Sequence, residues 1–360
     1  MSSEADRRFM ALALALAGRG LGNVWPNPAV GCVIVQGSTI VGRGFTQPGG
    51  RPHAERVALD QAGARARGAT AYVTLEPCAH HGQTPPCAAA LIAAGVARVV
   101  CATTDPDPRV SGKGHAMLRA AGIEVTEGVQ EPEARALNAG FLLRVLQGRP
   151  RVTLKLALTL DGRIANAAGA SRWITGPLAR RAVHMLRARH DAVMVGIGTA
   201  LADDPELTVR DLGITRQPIR IVVDSHLRLA AESRLLRTAA AVPVWLCHSG
   251  PARVLPAAHL IACASDSAGH VDLPDALRQL GSAGLTRIFC EGGGTLAAAL
   301  LRAGLVDELV CISAGRLFGA GGTPAVAALP GLAELPPEPE FALVEARPLG
   351  GDVMHRWVRR

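Results

Sequence analysis

The feature that most constrains this chain is a regular alternation of short apolar runs with helix-like segments, interrupted at Gly148-Arg149-Pro150. Runs rich in Val, Ile and Leu are typical of buried strands, and their alternation with helices predicts α/β architecture. Glycine and proline together end both kinds of element, so we expect a domain boundary at this point. At 360 residues the chain is long enough for two domains. We therefore predict one α/β domain over residues 1–148 and another over residues 149–360.

The same patterns predict the individual elements of each domain. In the first, helices are expected at Glu4–Ala17, His53–Gly63, Thr84–Gly95, Ser111–Gly122 and Glu131–Gln147, and strands at Ala29–Gln36, Thr39–Gly44, Ala69–Leu75 and Arg98–Thr103. In the second, strands are expected at Val152–Leu160, Ala192–Val195, Ile219–Asp224, Val242–Cys247 and Arg287–Cys290, and helices at Pro177–Arg189, Pro274–Leu280 and Thr295–Ala303. Acidic neighbours offset Arg7-Arg8, so we interpret the first helix as amphipathic rather than as a secretory signal.

Composition narrows the classes of function. The formal net charge is +8, and 36 of the 38 basic residues are Arg, with Lys113 and Lys155 as the exceptions. One Tyr and six Phe offer few rings for base stacking, so we expect anionic small molecules rather than nucleic acid as partners. No apolar run approaches the roughly 18 residues of a membrane span, which argues against a membrane protein. The eight Cys lack a disulfide-like spacing, so we expect a cytoplasmic protein.

The sharpest chemical pattern lies between His53 and Cys87. The imidazole of His53 and the thiolates of Cys78 and Cys87 form a zinc ligand set that leaves one of four positions open, as in catalytic sites. Zinc lowers the pKa of a bound water to about 7, and Glu55 is placed to carry a proton to the ammonia leaving an aromatic amidine. Positions 53 and 55 share no helix face, so they converge only at an irregular helix start, which Pro52 favours.

The general zinc-deaminase signature is H-x-E…P-C-x-x-C, but here eight residues separate Cys78 from Cys87. The alternative interpretation is a closed structural zinc site with His80 or His81 as its fourth ligand. Such a site would leave Glu55 without a role.

A second pattern opens the second domain. The strand Val152–Leu160 alternates Val and Leu on one face with Thr153, Lys155, Ala157 and Thr159 on the other. This predicts one face in a core and one toward a cleft. Because lysine can lose its proton or act as a compact charge, Lys155 stands out in an arginine-rich chain. The alternative is an edge-strand lysine whose ammonium reaches solvent.

Two glycine turns follow predicted strands. Glu291-Gly292-Gly293-Gly294-Thr295 precedes a predicted helix, and Val195–Thr199 places Gly196 and Gly198 after another strand. Backbone N–H groups at a helix start bind phosphate, and two such turns suit a dinucleotide lying across an open sheet. For the first turn, the alternative is a tight turn without a ligand.

At this point a family resemblance covers nearly the whole chain. The runs PNPAVGCVIV, PHAE and TLEPCAHHGQTPPC resemble the deaminase half of the bifunctional riboflavin-biosynthesis deaminase–reductases. The runs KLALTLDGRIA, SRWITG, LADDPELTVR and EGGGTLAAALL resemble the reductase half. The resemblance implies an α/β fold class with a cytidine-deaminase-like three-layer domain followed by a dihydrofolate-reductase-like domain, and Zn²⁺ and NADPH as cofactors.

The resemblance also implies roles for single residues. In the deaminase it implies zinc ligands His53, Cys78 and Cys87, Glu55 as general acid/base, and substrate contacts from Asn27, His80 and Asp105. In the reductase it implies substrate contacts from Ser171, Arg187, Leu207, Arg210 and Glu291. Cofactor contacts are implied at Ala157, Trp173, Thr199, Asp203, Ser225, Gly293, Gly294, Thr295, Leu296 and Ala297. Arg187 and Arg210 suit a substrate phosphate, and Lys155 with Glu291 is expected to orient or protonate the reacting ribose.

Two positions depart from the family pattern. Gln83 stands where a basic residue is usual, and Asp107 stands where Asn is usual. Both changes remove support for a phosphoribosyl group, which leaves a backbone N–H nest or a nearby Arg as alternative phosphate contacts in the deaminase.

We therefore expect a two-step enzyme. It would hydrolyse the amino group of 2,5-diamino-6-(5-phosphoribosylamino)pyrimidin-4-one and then reduce the ribosyl group to ribityl with NADPH. The resemblance favours a homo-oligomer. Two alternatives stay open from the sequence: a nucleic-acid or nucleoside zinc deaminase with an accessory domain, and a zinc-binding module without catalysis.

Overall fold

Apolar strands and helices form separate hydrophobic cores on the two sides of Gly148. The computed structural model describes residues 3–79, 85–107, 111–251, 255, 257–327, 329 and 340–360. The chain divides into unit 1, Met1–Gly148, and unit 2, Arg149–Arg360. The division follows the Gly-Arg-Pro break, which lies between the helix that ends at Gln147 and the strand that begins at Arg151.

Unit 1 is an α/β unit. Its helices are α1 Glu4–Ala17, α2 Ala54–Ala62, α3 Cys87–Ala93, α4 Lys113–Ala120, α5 Glu131–Leu137 and α6 Ala139–Gln147. Its strands are β1 Gly31–Gln36, β2 Thr39–Phe45, β3 Thr70–Val73, β4 Arg98–Cys101 and β5 Glu124–Thr126. Among the described residues these strands form one sheet in the order β2-β1-β3-β4-β5. β1 is antiparallel to both neighbours, whereas β3, β4 and β5 run parallel.

Helices cover both faces of this sheet. α1 packs on one face, and α2, α3 and α4 pack on the other, which produces three layers. On the second face, Gly42 and Gly44 of β2 let α2 approach closely, since a Cβ on Gly44 would lie 2.2 Å from the carbonyl oxygen of Ala54. This contact fixes the start of α2, and His53 immediately precedes that helix.

The predicted elements of unit 1 are present, most of them with shifted ends. α1 has the predicted bounds, and a capping box between Ser3 and Asp6 begins it. The segment Glu131–Gln147, predicted as one helix, is two helices that meet at Asn138. The Asn138 side chain accepts from the backbone N–H of Ala29 at 2.9 Å and donates to its carbonyl at 3.0 Å. A contact between distant segments therefore overrides the local helical pattern.

Unit 2 is also an α/β unit. Its helices are α7 Pro177–Ala188, α8 Ile197–Asp203, α9 Arg234–Arg237, α10 Leu273–Ser282 and α11 Gly294–Arg302. Its strands are β6 Arg151–Thr159, β7 Arg163–Ala165, β8 Ala192–Gly196, β9 Ile219–Val223, β10 Val244–His248, β11 His259–Ala262, β12 Arg287–Cys290, β13 Glu308–Ala314, β14 Thr323–Pro324, β15 Phe341–Leu349 and β16 Asp352–Arg359. In the described part of unit 2, the main sheet has the order β11-β10-β9-β8-β12-β6-β13-β16-β15. All neighbours from β11 to β13 are parallel, and β16 and β15 complete the sheet in antiparallel pairing.

Strand β6 lies inside this sheet between β12 and β13. The alternative of an edge-strand lysine at position 155 is therefore wrong. The expected division into a core face and a cleft face holds only in part: Thr153 and Thr159 are buried like Val152, while Lys155 and Ala157 are half-buried. The polar face opens only beside Lys155 and Ala157, which restricts the cleft to the second half of the strand.

Within the described residues, every helix is too short or too polar to span a lipid bilayer.

The Asn138 contact yields a first prediction. In Asn138→Ala both backbone groups of Ala29 lose their buried partner, and each such group costs about 1–3 kcal/mol. The free energy of unfolding of unit 1 should fall by roughly 2–4 kcal/mol, measured by urea denaturation or calorimetry. Gln147→Ala, at an exposed position of α6, is the matched control. Equal stability of the two variants would contradict the structural role of Asn138.

Candidate active sites

Three side chains from separate segments of unit 1 meet at one point. The ligand atoms of His53, Cys78 and Cys87 all lie within 4.8 Å of one another. His53 Nδ1 is 3.3 Å from Cys87 Sγ and 3.8 Å from Cys78 Sγ. Zn–S bonds of about 2.3 Å and Zn–N bonds of about 2.0 Å place two tetrahedral ligands roughly 3.5–3.8 Å apart. The three side chains therefore fit a zinc ion held through His53 Nδ1 and both sulfurs.

Local backbone geometry places these ligands. His53 is the N-cap of α2, with φ −70° and ψ 161°, so it lies outside the helix while Glu55 lies inside its first turn. This is the irregular helix start that the spacing predicted. Pro86, with φ −57° and ψ 142°, precedes Cys87 at the first position of α3. The backbone N–H of Cys87 donates to Cys78 Sγ at 3.3 Å, which fixes the Cys78 sulfur beside the start of α3.

The protonation states of this site are set by burial and by neighbouring charge. Burial, and then the negative charge of Cys78, raise the pKa of Glu55 to about 7. A hydrogen bond with Cys87, followed by one with His53, lowers the pKa of Cys78 to about 4 against the effect of burial. At neutral pH Cys78 is therefore a thiolate, and Glu55 can both accept and release a proton.

The predicted substrate contacts of unit 1 are placed only in part. Asn27 Nδ2 donates to the carbonyl of Gly50 at 3.1 Å, which ties it to the segment that leads into His53. Asp105 is buried after β4, and its Oδ1 accepts from the backbone N–H of Asp107 at 2.9 Å. Burial, joined by the negative charges of Asp107 and Glu76, raises the pKa of Asp105 to about 6. His80 lies outside the described residues, as does position 83.

Sequence reasoning missed Glu76. Its buried carboxylate accepts from the backbone N–H of Asp105 at 3.2 Å and of Gly114 at 2.9 Å. The nearest sequence signal is Gly114, because a Cβ there would lie 1.9 Å from the carbonyl oxygen of Pro77. The sequence does not show that Gly114 lies against Pro77, so it does not distinguish Gly114 from other helical glycines.

In unit 2 the structure brings together Lys155, Glu291 and Arg187. Register pairs Cys290 with Leu154, so Glu291 follows β12 directly beside Lys155 on β6. Lys155 Nζ lies 3.7 Å from Glu291 Oε2. Arg187, on α7, donates from Nε to Oε1 at 2.5 Å and from Nη2 to Oε2 at 3.1 Å.

These two cations determine the charge of Glu291. Burial by itself would raise its pKa, but Arg187 and Lys155 together lower it to about 2. Glu291 is therefore ionised at neutral pH and cannot donate a proton. Of the pair predicted to orient or protonate the ribose, Glu291 is therefore not the proton donor.

The segment from Glu206 to Arg210 lies against α7. Arg187 Nη1 donates to the carbonyl of Thr208 at 2.8 Å, so most of its guanidinium is held inside the protein rather than presented to a phosphate. Leu207 is buried with a φ of 55°. Arg210 donates from its backbone to His184 Nδ1 at 3.2 Å, while its guanidinium is half-exposed beside Glu206. Arg210 is thus the better placed of the two arginines for an anion, and His184 is a neighbour that sequence reasoning missed.

The two glycine turns meet at one edge of the sheet. The backbone N–H of Gly293 donates to Thr199 Oγ1 at 3.0 Å, which joins the turn after β12 to the start of α8. Gly294 begins α11, Thr295 is exposed and Leu296 is buried in its first turn. Ala297 is fully buried, and its N–H donates to the carbonyl of Gly293. Leu296 and Ala297 are thus both buried, and the cofactor contacts expected from Gly293 to Ala297 stay a prediction.

The other predicted contacts surround the same edge. Ser171 is exposed, and Trp173 is 63% exposed with the Arg180 guanidinium 4.7 Å from its ring centroid. The carbonyl of Asp203, at the end of α8, accepts from Arg172 at 2.9 Å. Ser225 follows β9 and accepts from the N–H of Val271 at 3.0 Å. An open cavity of about 540 Å³ lies beside Trp173 and the end of β13; Lys155 and Glu291 do not line it.

Comparison with protein families matches both units. The model described as RibD C-terminal domain matches residues 150–355. The model described as cytidine and deoxycytidylate deaminase zinc-binding region matches residues 3–103. The predicted fold class, a cytidine-deaminase-like domain followed by a reductase domain, is confirmed.

Whole-chain comparisons agree. The chain is 47% identical to riboflavin biosynthesis protein RibD of Escherichia coli K12, covering 97% of this chain and 98% of that protein. It is 43% identical to RibD of Haemophilus influenzae, covering 98% and 96%. A solved structure of Acinetobacter baumannii RibD superposes with a TM-score of 0.90 at 40% identity and 99% coverage of both chains. A Thermotoga maritima diaminohydroxyphosphoribosylaminopyrimidine deaminase/5-amino-6-(5-phosphoribosylamino)uracil reductase gives 0.89 at 36% identity, again over 99% of both.

The charge state of Glu291 yields a second prediction. Folding lowers its pKa from the usual 4.5 to about 2, so its ionised form stabilises the fold above pH 4.5. This contribution is lost as the pH falls from 4.5 toward 2. Glu291→Gln cannot ionise, so the difference in unfolding free energy between wild type and variant should shrink from about pH 5 to about pH 3.

Urea denaturation across that pH range measures the difference directly. Glu232→Gln, at an exposed position of the same unit, is the control and should show a small difference from wild type at every pH. A wild-type advantage over Glu291→Gln that stays constant with pH would contradict the assigned charge state.

Proposed function

The chain belongs to the family of RibD riboflavin biosynthesis proteins, and on that premise we propose a substrate and residue roles for each of its two reactions. As a member of this family it is an enzyme with a deaminase and a reductase activity. The observation that carries the proposal is the convergence of His53, Cys78 and Cys87 beside the buried Glu55. The nucleic-acid deaminase alternative is not favoured, since the RibD relatives match unit 2 as well as unit 1.

For the deaminase we propose 2,5-diamino-6-(5-phosphoribosylamino)pyrimidin-4-one as substrate, in keeping with the name of the Thermotoga relative. When bound by His53, Cys78 and Cys87, zinc supplies a water acidic enough to react at neutral pH. Glu55 takes a proton from the attacking water and delivers it to the amino nitrogen at C2, which leaves as ammonia. A pKa of about 7 lets Glu55 perform both transfers. Asn27 and Asp105 are proposed to hold the pyrimidine.

For the reductase we propose the deaminated product as substrate and NADPH as hydride donor. When bound, the cofactor supplies a hydride to C1′ of the ribose. The C1′–O4′ bond breaks as the hydride adds, and Lys155 gives its proton to O4′. Ionised Glu291 holds the Lys155 ammonium in place and cannot itself supply the proton.

The residues that follow β9 support the choice of NADPH over NADH. Asp224 is fully buried and accepts from the N–H of Leu229 at 2.9 Å, so its carboxylate does not face a ribose hydroxyl. Ser225 and the exposed Arg228 follow it. In dinucleotide sites an acidic residue near this position binds the 2′-hydroxyl of NAD, whereas an arginine accommodates the 2′-phosphate of NADP.

We also propose a homo-oligomer in the cytoplasm. Strand β15 forms an edge of its sheet, and Leu343 and Val344 on it are about half exposed. An apolar sheet edge is typical of a surface that associates with another chain. All eight cysteines are free, as expected in a reducing compartment.

Replacement of Glu55 tests the deaminase and separates it from a zinc module without catalysis. Glu55→Gln should keep one zinc per chain, because the three ligand side chains stay in place, and should release ammonia about 10²–10⁴-fold more slowly. Zinc content and ammonia release are measured on the same sample. NADPH oxidation with the deaminated substrate is the internal control and should be unchanged. Wild-type protein that binds zinc but releases no ammonia from this substrate would overturn the proposal.

Replacement of Lys155 tests the reductase. Lys155→Met removes the proton donor, so oxidation of NADPH should slow by about 10²-fold or more, while ammonia release stays at the wild-type rate. Lys113→Met is the matched control, because Lys113 is the other lysine in the chain and is exposed on α4. Equal rates of NADPH oxidation in the two variants would rule out the proposed role of Lys155.

A further inference from the structure

Glu76 is a buried carboxylate that the proposed reaction does not use. It follows β3, precedes the zinc ligand Cys78 by two residues, and is 3% exposed. Its own backbone N–H donates to the carbonyl of Thr103 at 3.0 Å, so the ends of β3 and β4 lie side by side at this residue.

Both carboxylate oxygens of Glu76 accept hydrogen bonds from the backbone. Oε2 accepts from the N–H of Asp105 at 3.2 Å and of Gly112 at 3.0 Å. Oε1 accepts from the N–H of Gly114 at 2.9 Å and of His115 at 3.4 Å. One side chain therefore binds the segment after β4 and the first turn of α4 at the same time.

Close packing around the Glu76 carboxylate fixes the position of α4 against the loop that carries Cys78. A Cβ on Gly114 would lie 1.9 Å from the carbonyl oxygen of Pro77 and 3.2 Å from Glu76 Cγ, so α4 begins directly against the loop that carries Cys78. Gly112, the N-cap of α4, has a φ of 74°. The positive end of a helix dipole favours a negative charge at this location.

We propose that Glu76 is a positioning residue of the deaminase, holding Asp105 at a fixed distance from the loop of Cys78. The inference rests on the proposed function, in which Asp105 contacts the pyrimidine. Glu76 is two residues from a metal ligand and hydrogen-bonds to the Asp105 backbone, so it joins the part of the site that binds zinc to the part that binds substrate. Loss of this link displaces Asp105 while the three zinc ligands keep their own contacts.

A carboxylate suits this role better than its amide. Glutamine has one acceptor oxygen and one NH2 donor, so in Glu76→Gln two of the four backbone N–H groups face another donor. Aspartate keeps the charge but is one methylene shorter, so Glu76→Asp reaches some of these groups and not others.

Asp6 provides a matched control within the same unit. It is equally buried, and its carboxylate accepts from the Ser3 N–H at 3.0 Å, from Arg98 at 2.8 Å and from Tyr72 Oη at 3.1 Å. It lies on α1, on the face of the sheet opposite to α2, α3 and α4. A purely structural effect of losing a buried carboxylate is therefore measured by Asp6→Asn without disturbance of the deaminase site.

The test uses steady-state ammonia release by the full chain, with zinc content and NADPH oxidation measured in parallel. Glu76→Gln should raise the deaminase KM at least tenfold with a smaller change in kcat, keep one zinc per chain, and leave the reductase unchanged. Glu76→Asp should give an intermediate KM. Asp6→Asn should lower the thermal midpoint and leave KM unchanged.

A double-mutant cycle decides whether Glu76 acts through Asp105. Asp105→Ala by itself should raise KM, and Glu76→Gln added to it should change KM by less than twofold. Three results would overturn the inference. The first is a KM in the double variant equal to the product of the two single-variant increases. The others are an unchanged KM in both Glu76 variants and a loss of zinc in both. If the wild-type protein releases no ammonia, the proposed function and this inference are both overturned. If the wild type is active and one of these three results is found, only the inference is overturned.

Discussion

Parallel pairing of strands is the constraint on which both sites depend. Parallel neighbours present their carboxyl ends at one edge of a sheet, so the residues that follow them are neighbours in space whatever their separation in sequence. In unit 1 this edge joins the segment after β3, which carries Glu76 and Cys78, to the segment after β4, which carries Asp105. In unit 2 the same arrangement joins Thr199, after β8, to Gly293, after β12.

Each of these edges contains buried carboxylates, and what surrounds a carboxylate decides its chemistry. Glu55 is buried beside the thiolate of Cys78, and its pKa rises to about 7. Glu291, whose side chain is 9% exposed, lies between Arg187 and Lys155, and its pKa falls to about 2. Burial opposes the charged form in both cases, so the sign of the neighbouring charge determines the outcome. One glutamate can therefore move protons, whereas the other provides a permanent negative charge.

Much of the fold and of both sites could be predicted from the sequence, because the relevant information is local. The bounds of α1 follow from apolar spacing and a capping box. Residue types and spacings likewise indicated His53, Cys78, Cys87 and Glu55 as one zinc-dependent site, and an alternating strand in a chain with two lysines indicated Lys155. These features depend on a few consecutive residues and on chemistry that few other residue types can perform.

Other features required the tertiary structure. The role of Glu76 depends on backbone groups 29 to 39 residues further along the chain. The break at Asn138 depends on Ala29, 109 residues away, and the interior position of β6 depends on β12 and β13. By itself the sequence determined which chemical groups are available and which short segments are helix or strand. Only the tertiary structure decided which of those groups meet, because hydrogen bonding and burial between distant segments leave no periodic signal in the chain.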